Sequence, residues 1–121
     1  MTLKVTGFAS ATSTYKIVND TDSDENAETD VTGTSGSIYS IDITNTAGTH
    51  TSYMKFKLTS GETTVGTTEP DMMILCGPST SERYYFPEGL AFEQLTFWTT
   101  RNPTTADTTA PNTTTVTILC S

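Results

Sequence analysis

Apolar and polar positions alternate with period two along much of this chain, and no stretch sustains a 3.6-residue apolar period. In Tyr53–Thr59, Met54, Phe56 and Leu58 share one face, and Tyr53, Lys55 and Lys57 share the other. In Ile38–Thr44, the alternation turns Tyr39, Ile41 and Ile43 inward and Ser40, Asp42 and Thr44 outward. Val116, Ile118 and Cys120 form a third inward set. MMILC, 72–76, is apolar on both faces and reads as a central or interface strand. RYYFPEG and LTFWTTR read as aromatic strands, TYKIV as a short one, and LKVTGF as an edge strand or arm.

Turn chemistry fills the gaps. Asn45-Thr46-Ala47-Gly48 and Ser60-Gly61-Glu62 separate alternating runs. Pro70, Pro78, Pro87, Pro103 and Pro111 sit at run edges, where a missing N–H harms a ladder least. About eight strands at spacings of roughly 8–15 residues predict an all-β fold, a single-domain antiparallel β-sandwich of jelly-roll type. Residues 1–13 are expected as an N-terminal arm and 14–121 as the domain. Segments 19–36 and 101–113 are expected as long loops, which in a small domain are functional or held by a neighbour.

Composition sharpens this. Threonine and serine number 29 and 11 of 121 residues, a β-branched, hydroxyl-rich composition that suits pleated surfaces. Apolar residues make up only 34%, so the core is thin and partners are expected to add stability. The net charge of −8, with six scattered basic residues, excludes a nucleic-acid footprint and disfavours an anionic membrane. No apolar run reaches membrane-spanning length, and the first residues show no secretory h-region. Cys76 and Cys120 lie in apolar runs and are expected as buried free thiols.

Candidate chemistry is sparse. Residues 19–31, NDTDSDENAETDV, hold six of the 14 acids. Asp20, Asp22 and Asp24 match the first three acidic positions of an EF-hand loop. Glu25 and Val31 fail the glycine and glutamate positions, so the run reads as a solvent-facing loop displaying charge, with no metal site. His50 is the only histidine, and no nucleophile elbow or phosphate loop is present; neither catalytic residues nor a cofactor are expected. Trp98 follows Phe97, so one of the pair points out of the sheet, and coverage partly by another subunit is expected.

From about residue 51 the succession YMKFKL, TTVGTTEPD, MMILCGP, YYFPEGLAFEQLTFWTT and TVTILCS resembles small bacteriophage virion proteins. The resemblance rests on a Gly66-Thr67-Thr68-Glu69-Pro70 turn and on Phe86, Gly89, Leu90 and Phe92. It implies a non-enzymatic capsid decoration or cement protein that binds the major capsid protein, commonly as a trimer. Such a protein is made in the bacterial cytoplasm and resides on the virion surface. Leu3, Val5 and Phe8 are the apolar anchors expected of an arm reaching a neighbour, with Trp98 as a further interface residue. The alternative is a tail or fibre-associated jelly roll that recognises host glycan through Trp98, Tyr84 or Tyr85.

Overall fold

A computed structural model describes residues 3–7 and 15–121. Eight strands follow one another: β1 (Leu3–Gly7), β2 (Lys16–Asp20), β3 (Gly36–Asn45), β4 (Ser52–Lys57), β5 (Met72–Cys76), β6 (Thr80–Phe92), β7 (Thr96–Thr100) and β8 (Thr114–Cys120). They form a five-stranded sheet in the order β1-β2-β8-β3-β6 and a three-stranded sheet in the order β5-β4-β7. All pairings are antiparallel. The two sheets pack into a single-domain β-sandwich, as the alternation predicts.

The core lies where the inward sets of the two sheets meet. Val18, Ile38, Ile41, Ile43, Val116 and Ile118 come from the larger sheet; Met54, Phe56, Ile74 and Phe97 come from the smaller. Phe56 and Phe97 are register partners, with ring centroids 6.3 Å apart. Cys76 and Cys120 are buried and unbridged, and Cys76 Sγ donates to Thr80 O at 3.1 Å.

The period-two reading fails at Tyr39. Ile38 pairs with Cys120 and Ser40 with Leu119, so Tyr39 is an extra residue bulged out of β3. The bulge resets the phase: Ile38 joins Ile41 and Ile43 in the core, and Tyr39 does not. A second irregularity lies opposite. β6 pairs with β3 through 80–85 and again through 90–92, so residues 86–89 leave the ladder. Pro87 falls in this flared stretch, where no ladder bond is needed from it. Gly89 is required there. Its φ is +82°, and a Cβ would stand 3.1 Å from both Ser37 Cβ and Tyr39 Cε1.

MMILC forms β5, an edge strand and not a central one. Met73 and Leu75, on its outer face, are 40% and 46% exposed. The neighbouring layer meets this edge at one point: Tyr84 reaches from β6 and donates its hydroxyl to Leu75 O at 2.6 Å.

Candidate functional site

The acidic segment after β2 is not a solvated loop. Its backbone runs along the otherwise free edge of β7. Glu28 N donates to Phe97 O at 2.8 Å and Phe97 N donates to Glu28 O at 3.0 Å, an antiparallel bridge. Thr99 N donates to Asp24 O and Val31 N to Leu95 O on either side of it, at 2.7 and 2.9 Å. Ser23 and Thr99 hydroxyls meet at 2.7 Å inside the protein. Residues 23–31 therefore form a strap that seals the small sheet. An alternation search passes over it because its side chains are almost all polar, and its order comes from main-chain bonds that side-chain type does not report.

At the start of the strap, Asp20 is completely buried. Its Oδ1 accepts the Asp22 amide at 3.0 Å, and its Oδ2 has no partner among the described residues. Burial raises its pKa most. The Asp22 amide opposes that, and the nearby Asp22 and Asp24 carboxylates raise it further. Among the described residues, no three His, Cys, Asp or Glu side chains converge to hold a metal ion. The buried carboxylate sets a sign. A raised native pKa means the folded state holds its proton more tightly than the unfolded state. Stability is then lost as pH rises through the native value. Asp20→Asn keeps the Oδ1 acceptor and removes the charge. The variant should be more stable by about 1–2 kcal/mol at pH 7, and the gain should vanish below the ordinary carboxyl value of 3.8. Urea unfolding at pH 3.5 and pH 7 reads both arms; an equal difference at the two pH values would reject this account.

The outer face of the small sheet is covered as well where β7 meets β4. Trp98 and Lys55 face each other across β7 and β4. On that face Trp98 is 1% exposed and Lys55 0%. Lys55 Nζ donates to Thr104 O at 2.7 Å, which carries the 101–113 loop across the sheet. Asp107 organises this loop. Its Oδ2 accepts Asn102 N at 2.8 Å and its Oδ1 accepts Thr109 N at 3.1 Å. Burial pushes the Asp107 pKa up, but the hydrogen bonds from Thr109 and Asn102 outweigh it and hold the carboxyl at about 2. The turn containing Gly66 abuts the loop, where a Cβ would lie 2.8 Å from Thr108 Cγ2. Trp98 is thus covered by its own chain, without a second subunit. Lys55, expected on an exposed face by alternation, is covered for the same reason.

The remaining sequence-predicted positions are dispersed. Leu3 and Val5 lie on β1, the outermost strand of the large sheet, opposite Asp20 and Val18. Leu3 packs at the margin of the core and Val5 is 38% exposed. Phe8 lies outside the described residues. Tyr84 is tied to β5, whereas Tyr85 is 65% exposed, with the Arg83 guanidinium 5.9 Å from its ring centroid. Arg83 also pairs with Asp42 on the outer face of the large sheet. No protein-family model, curated protein or solved structure matches this chain.

Proposed function

We propose that this chain is a structural protein of a bacteriophage particle, without catalytic activity. In this reading it is a capsid decoration or cement protein that binds the shell of major capsid protein and stabilises it. What supports the reading is the order in which the chain visits its two layers. With the strap counted as a strand, the path is β2 in the large sheet, strap in the small, β3 large, β4 and β5 small, β6 large, β7 small, β8 large. Two four-stranded sheets, β2-β8-β3-β6 and strap-β7-β4-β5, are wound in this way in a jelly roll, an architecture that recurs in capsid proteins. β1 is the strand left over. It is appended at the chain start to the free edge of β2 and presents its other edge outward, a geometry suited to adding a strand to a neighbour's sheet.

In the proposed assembly, trimers sit on the virion surface after synthesis in the host cytoplasm, and β1 with Leu3 and Val5 contacts the shell. Deleting residues 1–13 should weaken binding to shells of the cognate major capsid protein by at least tenfold in a sedimentation assay. The far-UV spectrum and cooperative unfolding should persist. Unchanged shell affinity would refute the arm. The alternative reading, a tail or fibre module for host glycan, retains one exposed aromatic of its three, Tyr85, beside the shallow hollow along residues 85–90.

A further inference from the structure

The edges of the two sheets are β1 and β6 in the larger and β5 and β7 in the smaller. Three of them are guarded. The strap seals β7. β6 carries Glu82, Arg83, Pro87 and Glu88, and β1 carries Lys4; charges and proline on an edge discourage pairing with a further strand. β5 has neither charge nor proline, in a chain of net charge −8. Tyr84 meets its edge at Leu75 O, and the Met73 and Leu75 side chains stand 40% and 46% exposed beside it.

The register decides which main-chain groups of β5 face outward. Phe97 and Thr99 turn theirs to the strap, so Trp98 and Thr100 turn theirs to Lys55 and Tyr53 of β4. Met54 and Phe56 then turn theirs to Ile74 and Met72, which leaves Met73 and Leu75 pointing to the open edge. The Tyr84 bond to Leu75 O, made from outside the sheet, agrees with this. The strand is complementary to itself in this phase. When two copies of β5 run antiparallel about a twofold axis at Ile74, Met73 of one copy lies opposite Leu75 of the other, and Leu75 opposite Met73. Both pairs are the kind that exchanges N–H and C=O bonds, so the outward groups of both residues are satisfied. The same pairing sets the exposed Met73 side chain against the exposed Leu75 on one face, and no like charges meet within the paired strands.

We propose that the β5 edge is an interface for a second copy of this chain, joined by antiparallel β5–β5 pairing centred on Ile74. The small sheets of the two copies then run on as one continuous sheet. The contact is isologous, so it links copies two by two and, where the chain forms trimers, joins one trimer to the next. It does not depend on the shell reading, and neither result below bears on that reading. A contact made by one short strand is small, so the pairing is weak and concentration-dependent. Sedimentation of the full-length protein should show the mass rising toward twice that of one chain as the concentration approaches millimolar. Hydrogen exchange over the same series locates the contact. The Met73 and Leu75 amides, open to water in the single copy, should slow by about tenfold or more in step with the mass. Met73→Lys should abolish both effects, because it brings an ammonium group into the paired strands, and Met73→Leu should keep them. Should the lysine variant not fold, the wild-type exchange series decides. A mass that stays at one chain at millimolar protein leaves this edge to solvent or to a different protein, and the proposal falls. A dimer in which the Met73 and Leu75 amides still exchange rapidly, or one that survives in folded Met73→Lys, uses another surface and equally overturns it.

Discussion

Trp98→Ala is expected to lower stability by about 3–5 kcal/mol, the range for emptying a buried tryptophan site. For a domain of this size that corresponds to a fall in thermal midpoint of roughly 10–20 °C. The reason is positional. Trp98 is 1% exposed yet stands apart from the central cluster of Val18, Ile41, Phe56 and Phe97, as the largest side chain of a second layer. That layer is roofed by the 101–113 loop, whose anchor across the sheet is the Lys55–Thr104 bond. Removing the indole leaves the loop without the surface it rests on. Its backbone should then become protease-sensitive between Arg101 and Thr113 before the sandwich unfolds. Circular dichroism and limited proteolysis check the two effects separately. A Trp98→Ala protein that keeps wild-type stability and proteolytic resistance would mean that the indole is not structural. Loss of glycan binding in such a protein would restore the surface reading of this residue.

The contrast between Trp98 and the sheet core shows what side-chain pattern conveys. Met54, Phe56 and Leu58, or Val116, Ile118 and Cys120, face the core because alternation along a strand is geometric and the other sheet lies on that side. What covers the opposite face is set by a loop some fifty residues away, and the local pattern carries no trace of it. Lys55 therefore reads as solvent-facing and is buried. Tyr39 fails for a different reason. One inserted residue reverses the phase of everything before it, and Ile38 instead of Tyr39 enters the core. The acidic segment fails for a third. Its order rests on bonds between main chains, for which NDTDSDENAETDV offers only polar side chains. Edge character was legible at β1, where Leu3 and Val5 give a short, weakly apolar strand. At β5 it is not, because Met73 and Leu75 are apolar although 40% and 46% exposed, so side-chain type does not report the edge position.

Glu28→Pro is expected to have the next largest effect, through that same strap. Proline removes the N–H that reaches Phe97 O and restrains Ala27 before it. Phe97 is fully buried, so its carbonyl loses its partner where water cannot replace it, at a cost of about 1–3 kcal/mol. The returning bond, Phe97 N to Glu28 O, weakens as the backbone shifts, and the flanking bonds at Asp24 and Val31 lose their register. The β7 edge is then open, a row of unpaired main-chain groups that templates pairing with another chain. The expected result is a destabilised protein in which the Phe97 and Thr99 amides exchange rapidly and light scattering reports dimers or larger species. Glu28→Gln is the control. It keeps every main-chain bond, and Glu28 has a pKa raised by burial and by the Asp20 and Asp24 carboxylates, so removing its charge should not destabilise. Slow exchange at Phe97 in the proline variant would show that the strap does not seal the edge. If the edge does open, the acids acquire a second physical role beside solubility. The strap's backbone closes the sheet, while the carboxylates of Asp22, Asp24 and Glu25 repel a second copy approaching along the same edge.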